Sequence, residues 1–134
     1  MSGYSATPLA KKLGIREGSR VSLFHQPDYY FDLFTDFPTG VTIIKGNGKV
    51  DLIHYFTRQE KQLVKDLYTL KNTIEQNGMI WISWPKKSSK VETDVTEEVV
   101  RNLALKNGLV DIKVCAVDEI WSGLKLVIPV KNRK

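Results

Sequence analysis

Residues 50–85 have the sequence VDLIHYFTRQEKQLVKDLYTLKNTIEQNGMIWISWP, which predicts a β-strand, an α-helix and a second β-strand in succession. The first strand, Val50–Phe56, is apolar on both faces apart from Asp51 and His54, as is typical of a central strand in a parallel sheet. The second strand is predicted over residues 79–84. Because neighbouring parallel strands require a crossover connection, the intervening helix indicates that these two strands are parallel.

The helix between these strands has a predicted start and a predicted end. Thr57 and Glu60 have the spacing of a capping box, in which two side chains satisfy the first backbone N–H groups of a helix. Asn77-Gly78 is typical of a helix terminus. Apolar side chains recur at helical intervals, at Leu63, Leu67, Leu70 and Ile74.

Two further strands are predicted upstream, over residues 20–25 and 41–44. A short helix over residues 28–34 is predicted between them, with an inner face formed by Tyr30, Phe31 and Phe34. Too few residues separate the second strand from the third for an ordinary crossover. Either these two strands form a hairpin at Asn47-Gly48, or the second strand is very short and the chain returns as a loop. We favour the short strand.

The remainder of the chain predicts one helix and two strands. Thr96 or Asp94 would cap the helix, Asn107-Gly108 would end it, and its inner face would consist of Val99, Val100, Leu103 and Ala104. Residues 110–116 and 124–130 alternate between apolar and polar side chains, which indicates an antiparallel hairpin.

The order of the elements defines the fold class. Strands that alternate with helices indicate an α/β, three-layer, Rossmann-like sandwich with a mostly parallel sheet of about six strands and a C-terminal antiparallel hairpin. The length of 134 residues corresponds to one domain, residues 1–134. Residues 1–19 predict a helical segment that packs on this domain, with Thr7 as cap and Gly14 as terminus. Residues 131–134 form a basic tail.

The formal net charge of +5 is concentrated at the two ends of the chain. Residues 1–20 carry a net charge of +3 and residues 131–134 another +3, so the intervening 110 residues carry −1. A protein that follows a phosphate backbone usually concentrates its cations on one face or stripe. Nucleic-acid binding is therefore not expected unless the two ends meet in space.

Several other classes of protein are disfavoured. No apolar run approaches the ~20 residues that cross a bilayer, and residues 1–4 lack the character of a secretory signal. Cys115 is the only cysteine and the two histidines are His25 and His54, so a Cys/His zinc site is not expected. These features favour a cytoplasmic protein without a metal.

Ligands of open α/β sheets bind beyond the carboxyl ends of the strands, and candidate residues lie there. The ligand-binding candidates are Lys45, Trp84, Lys86, Lys87, Trp121 and Ser122. The catalytic candidates are Asp118 and Glu119 as an acid/base pair, together with His25. The alternatives are a solvated loop for the lysine pair, with Trp84 packed on a helix, and a solvated turn for the two carboxylates. His54 is more typical of a hydrogen-bonded core histidine.

The turn after the first strand lacks the features of a nucleotide-cofactor site. Such turns use glycines so that backbone amides can approach the cofactor, whereas the turn here is His25-Gln26-Pro27-Asp28. Lys45 stands where an acidic residue commonly holds the ribose. Neither NAD nor S-adenosylmethionine is therefore expected to bind in the usual way, and we predict no cofactor.

Three blocks of the sequence are distinctive. They are GYSATPLAKKLGI at residues 3–15, WPKK with TDVTE within residues 84–97, and DIKVCAVDE with WSGLK within residues 111–125. Together they resemble a family of short bacterial proteins that is defined only as a domain of unknown function. The resemblance covers nearly the whole chain and implies a bacterial, cytoplasmic protein. It implies no activity, substrate or catalytic residue.

Three shorter segments carry a second and looser resemblance. DLI at residues 51–53, QNGMIWI at residues 76–82 and NGLVD at residues 107–111 are similar to the later motifs of class I methyltransferases. This resemblance implies that the last strand inserts antiparallel beside its predecessors. The chain departs from that family at the two cofactor positions described above and lacks one strand and one helix. We therefore interpret it as a trimmed relative that lost the cofactor.

These observations favour a non-methylating binding module that takes a small anionic ligand or a protein partner. An enzyme is the first alternative, with Asp118 or Glu119 as acid/base and Lys86 and Lys87 as an anion clamp. An oligomerising interaction protein is the second alternative, in which an edge strand or an aromatic surface pairs with another copy, through Trp121, Tyr29 and Tyr30.

Overall fold

The computed structural model describes residues 7–46 and 48–134. Within these residues the strands are β1 Arg20–Phe24, β2 Thr42–Ile43, β3 Val50–Phe56, β4 Ile74–Pro85, β5 Val110–Ala116 and β6 Trp121–Val127. The α-helices are α1 Leu9–Leu13, α2 Glu60–Lys71 and α3 Glu97–Lys106. Short 3-10 turns cover Tyr30–Leu33, Lys87–Ser89 and Val130–Asn132. None of the helices in the described ranges has the length and apolar character needed to cross a bilayer.

The six strands form a single sheet in the order β2-β1-β3-β4-β6-β5. β1 pairs in parallel with β2 and β3, and β3 pairs in parallel with β4. β6 inserts between β4 and β5 and is antiparallel to both. The expected α/β Rossmann-like sandwich is therefore confirmed, with its mostly parallel sheet of six strands and its C-terminal antiparallel hairpin.

The second strand is as short as predicted. β2 contains two residues and pairs with β1. The alternative hairpin between the second and third strands is wrong, because β1 lies between them in the sheet. Asn47, which belongs to the turn of that hairpin, lies outside the described residues, as do residues 1–6 of the predicted N-terminal segment.

Both faces of the sheet are covered by other elements. Successive side chains of a strand point to opposite faces, so the apolar strands present side chains to both layers. α2 and α3 pack on one face, over buried side chains that include Ile53 and Leu126. The opposite face carries α1, whose Leu13 packs with Trp81 of β4. The indole Nε1–H of Trp81 donates a hydrogen bond of 2.7 Å to the carbonyl oxygen of Leu13. This bond ties α1 to a central strand.

The start of α2 is capped from outside the helix, so the predicted capping box is wrong. The N-cap residue of α2 is Gln59, whose side chain makes no capping hydrogen bond. The backbone N–H of Glu60 instead donates to Oδ1 of Asp94 at 2.7 Å. Asp94 lies 34 residues further along the chain, so this cap exists only after the loop before α3 has docked.

The end of α2 also differs from the prediction. The helix stops at Lys71, and Ile74 begins β4 instead of extending the helix. Asn77-Gly78 lies within β4, where the pairing register with β3 shifts. A Cβ atom added at Gly78 would lie 3.0 Å from the carbonyl oxygen of Glu75 and 3.1 Å from that of Asp51. Glycine is needed here for a close backbone approach at a bulge and not for a helix terminus.

Other local predictions have mixed outcomes. Thr96 caps α3 as predicted, since its Oγ1 accepts a hydrogen bond from the N–H of Val99 at 3.2 Å. Gly14 ends α1 in the left-handed conformation, but Pro8 occupies the N-cap position where Thr7 was expected. The last strand begins at Trp121, three residues earlier than predicted.

The predicted helix over residues 28–34 is only a 3-10 turn. Tyr30 is its one buried residue, whereas Phe31 is 49% exposed. A 3-10 helix has three residues per turn, so the side chains of Tyr30 and Phe31 point to different sides of the helix axis. The predicted inner face therefore does not form as a unit.

Candidate carboxyl-edge ligand site

The turn after β1 holds a histidine in an unusual backbone conformation. His25 has a φ of 58°, in the left-handed region that glycine favours and that costs other residues on the order of 1 kcal/mol. Its Nδ1 lies 3.1 Å from the carbonyl oxygen of Phe56, and its ring packs edge-on against Tyr55 at a centroid distance of 5.2 Å. The imidazole therefore bridges the carboxyl ends of β1 and β3, where a glycine would leave open space.

A cleft of about 340 Å³ lies beside His25 at the carboxyl ends of β1 and β3 and the start of α2. Its lining residues are His25, Phe56, Thr57, Arg58, Gln59, Gln62 and Trp121. We call this concavity the carboxyl-edge cleft. Thr57 is buried, and its Oγ1 donates to Oε1 of Gln62 at 2.7 Å and accepts from the N–H of Gln59 at 3.1 Å. These bonds hold one amide side chain of the cleft in a fixed position.

Arg58 supplies the permanent positive charge of the carboxyl-edge cleft. It is exposed, and in the described part of the chain the only ion pairs are those of Arg101 with Glu97 and Asp111. Arg58 also stands at the N-terminal end of α2, where the helix dipole adds partial positive charge. An adjoining concavity shares Arg58 and contains the carboxylates of Glu92 and Asp94. That of Asp94 is engaged by the backbone of α2.

A buried polar network supports this cleft from within the sheet. His54 is fully buried; its Nδ1 lies 3.0 Å from the hydroxyl of Tyr30 and its Nε2 lies 2.8 Å from the Oγ of Ser83. Burial lowers the pKa of His54 to about 3, so the imidazole is neutral. Phe56, which lines the cleft, stacks on this ring at 4.2 Å. The interpretation of His54 as a hydrogen-bonded core histidine is confirmed.

Asp118 is engaged in holding the turn between β5 and β6. The side chain is 9% exposed, and its Oδ1 accepts hydrogen bonds from the N–H groups of Ile120 and Trp121 at 2.8 and 2.7 Å. Its Oδ2 accepts a hydrogen bond of 2.8 Å from the hydroxyl of Tyr29. Burial, and next the hydrogen bond to Asp118, raise the pKa of Tyr29 to about 12. Glu119 is exposed, so the two adjacent carboxylates lie in different environments.

Replacement of Asp118 distinguishes a structural carboxylate from a catalytic base. Asp118→Ala removes three hydrogen bonds and is expected to lower the free energy of unfolding by roughly 1–3 kcal/mol. Asp118→Asn keeps an oxygen for the backbone N–H groups and is expected to cost much less. Urea unfolding of both variants measures the difference. Equal losses in the two variants would contradict this account of the turn.

The structure separates most of the predicted ligand residues from the cleft. Trp84 is 6% exposed and packs in the core beneath α2 and α3, as the alternative interpretation of this residue expected. Lys86 is half-buried and Lys87 is exposed at the 3-10 turn that follows β4, and Lys45 is exposed beyond β2. These three lysines do not line the carboxyl-edge cleft.

Two of the predicted residues, His25 and Trp121, do line the cleft. Ser122 is half-buried on β6 and pairs with Trp84 in the sheet. The sequence interpretation missed the polar side chains that come directly after the central strand, Thr57, Arg58, Gln59 and Gln62. Their position after a buried strand was the available signal, but the capping-box pattern assigned them to the start of a helix.

Solved structures with the same fold are methyltransferases and related Rossmann-like proteins. A mitomycin 7-O-methyltransferase matches 83% of this chain with a TM-score of 0.60 at 9% sequence identity, and the chain spans about half (49%) of that protein. A ribosomal protein L11 methylase from Lactobacillus delbrueckii subsp. bulgaricus matches 90% of this chain and 74% of its own length, with a TM-score of 0.59 at 10% identity. At these identities the comparison defines the fold class alone, a methyltransferase-like Rossmann domain.

The family assignment comes from the sequence. Residues 39–130 match the family described as "Protein of unknown function (DUF3052)", and the chain belongs to this family. No curated protein matches the sequence.

S-adenosylmethionine is the cofactor that this fold class implies. A magnesium protoporphyrin IX methyltransferase from Synechocystis PCC 6803, solved with this cofactor bound, matches 89% of this chain and 74% of its own length, with a TM-score of 0.57 at 9% identity. The residues of the present chain do not fit the cofactor. The imidazole of His25 occupies the notch between β1 and β3, and Pro27 offers no backbone N–H. The described turn after β1 therefore does not offer the amide cradle that a nucleoside cofactor uses at this position.

Proposed function

We propose that this protein is a non-methylating, Rossmann-like binding module that takes a small anionic metabolite in the carboxyl-edge cleft. The observation that carries this proposal is the position of Arg58. Arg58 has no ion-pair partner among the described residues, and this residue lines a concavity at the sheet edge where proteins of this architecture bind ligands.

The polar groups of the cleft match the chemistry of a carboxylate or phosphate. A guanidinium presents several N–H donors in a planar fork that pairs with two oxygens of an anion. Gln59 and Gln62 add amide groups, and the bond between Thr57 and Gln62 fixes one of them. The half-buried indole of Trp121 is the aromatic ring at the cleft, and it packs edge to face at 5.0 Å on the ring of Phe56, which is fully buried beneath it. Such a combination of a few polar groups with an aromatic ring is typical of a metabolite site.

The size of the cleft favours a small ligand. A volume of about 340 Å³ lies at the lower end of the range of roughly 300–1,000 Å³ for small-molecule sites. The catalytic alternative with Asp118 or Glu119 as acid/base is less well supported, because both oxygens of Asp118 already accept hydrogen bonds within the chain and neither residue lines the cleft. A binding role requires no acid/base group in the cleft.

The proposal is tested by two-dimensional NMR titration with succinate and with inorganic phosphate. We expect saturable shifts of the backbone amides of residues 25 and 56–62. Arg58→Gln is expected to weaken binding about tenfold or more, since a charged hydrogen bond contributes about 1.5–3 kcal/mol. Lys87→Gln, which removes one positive charge outside the cleft, is the matched control and is expected to bind like the wild type.

Three results would contradict the proposal. One is the absence of any saturable shift at residues 56–62 with either probe. Another is equal weakening by Arg58→Gln and Lys87→Gln, which would indicate a general charge effect. The third is saturable binding of S-adenosylmethionine at this edge, which would overturn the non-methylating assignment.

A further inference from the structure

A second and larger concavity lies on the sheet face that carries α1, between the N-terminal segment and the C-terminal hairpin. Its volume is about 540 Å³. Among the described residues, the cations of its lining are Lys11, Lys12, Arg16, Lys113 and Lys125, and the one carboxylate is that of Asp36. We call this concavity the basic groove. It shares no lining residue with the carboxyl-edge cleft.

The basic groove joins cations that are far apart in the sequence. Three of the cations come from the N-terminal part of the chain, where residues 1–20 carry a net charge of +3: Lys11, Lys12 and Arg16. Lys113 and Lys125 come from β5 and β6 and stand opposite each other in the sheet pairing. The amine of Lys12 donates to the carbonyl oxygen of Ala116 at 3.3 Å, which fixes α1 beside β5.

The positive charge of the groove is not balanced within the described part of the chain. None of the five cations takes part in an ion pair there. Burial lowers the pKa of Lys125, and the neighbouring charges of Lys113 and Arg16 lower it further. The fold therefore holds like charges close together at a cost in free energy, which an anion in the groove would offset.

The groove is built on fixed structure. Leu13 is anchored by the hydrogen bond from Trp81, and the left-handed Gly14 lets the segment approach Met79, whose Sδ lies 3.0 Å from where a Cβ would stand. Met79 and Ile15 form apolar parts of the lining. A site whose cations lie on anchored elements loses little entropy when it orders a ligand.

We propose that the basic groove binds a compact polyanion, a small molecule that carries two or more phosphate groups. Five cations around one concavity match several closely spaced negative charges. Among the described residues the lining also contains Pro8, Pro38 and the carboxylate of Asp36, so the five cations converge on one concavity. A nucleic-acid backbone requires a stripe of cations, and a compact ligand does not. This site goes beyond the function proposed above.

The test uses inorganic tripolyphosphate as the probe, with calorimetry for affinity and NMR for location. We expect binding by the wild type with amide shifts at residues 11–16, 113 and 125. The double variant Lys113→Gln/Lys125→Gln is expected to bind at least tenfold more weakly. It is also expected to keep or raise the melting temperature, because it relieves charge repulsion in the groove.

The matched control is Lys61→Gln/Lys65→Gln, which removes two exposed charges from α2 and is expected to bind like the wild type. Arg58→Gln is also expected to keep tripolyphosphate binding, so failure of the carboxyl-edge proposal and failure of this one are distinguishable. The inference is overturned if tripolyphosphate does not bind, if both double variants weaken equally, or if a double-stranded oligonucleotide binds the groove more tightly than tripolyphosphate.

Discussion

Acidification from pH 7 to pH 4 is expected to lower the free energy of unfolding by about 3 kcal/mol through His54 alone. Burial lowers the pKa of His54 from its ordinary value of 6.5 to about 3 in the folded protein. Below pH 6.5 the unfolded chain therefore takes up a proton that the folded protein excludes until the pH approaches 3. Stability is lost as the pH falls through this interval, by up to about 1.4 kcal/mol for each pH unit.

Urea unfolding at several pH values between 4 and 7.5 measures this dependence. His54→Gln replaces the imidazole by a side chain that does not titrate but keeps a donor and an acceptor for Tyr30 and Ser83. This variant is expected to flatten the dependence of the unfolding free energy on pH and to lower its maximum. His25→Asn is the control, because it removes the other histidine and asparagine tolerates the left-handed backbone. The explanation is wrong if His54→Gln keeps the wild-type slope or if NMR shows a protonated His54 at pH 5.

Truncation of Trp81 to alanine is expected to cost about 4 kcal/mol of unfolding free energy, within the range for buried tryptophan. The indole is fully buried and belongs to the apolar group that includes Leu13 and Val21. Its removal leaves a large cavity and also leaves the carbonyl oxygen of Leu13 without the hydrogen bond that joins α1 to β4. The effect is therefore both a packing loss and a release of the N-terminal segment.

Hydrogen exchange distinguishes these two effects. In Trp81→Phe, which keeps an aromatic ring but loses the donor, amides of residues 12–15 are expected to exchange faster while those of α2 stay protected. Trp121→Ala is the control, because that indole is only half-buried and its loss is expected to cost less. Undisturbed protection of residues 12–15 in Trp81→Phe would contradict the proposed tether.

The two proposed binding regions use different parts of the fold. The carboxyl-edge cleft lies where the strand order of this architecture places ligands, and His25 and Arg58 give that edge a polar character without a glycine turn. The basic groove depends on the N-terminal segment and the antiparallel hairpin.

Short-range patterns predicted the elements whose cause is local. The apolar run of β3, the Thr96 cap of α3 and the left-handed Gly14 depend on neighbouring residues, and all three are confirmed. The antiparallel hairpin followed from alternation along β5 and β6 in the same way. The catalytic and ligand candidates depended on distant contacts, and only two of them, His25 and Trp121, line the carboxyl-edge cleft.

The sequence alone determined the α/β class. Apolar side chains that recur every three to four residues indicate a helix, whereas alternating or continuous apolar side chains indicate a strand. Only the tertiary structure decided that Asp94 caps α2, that Gly78 serves a bulge and that Trp84 is buried. It also brought Arg16 beside Lys113 and Lys125. These outcomes join residues tens of positions apart, and their free energy arises only when packed elements exclude water between them.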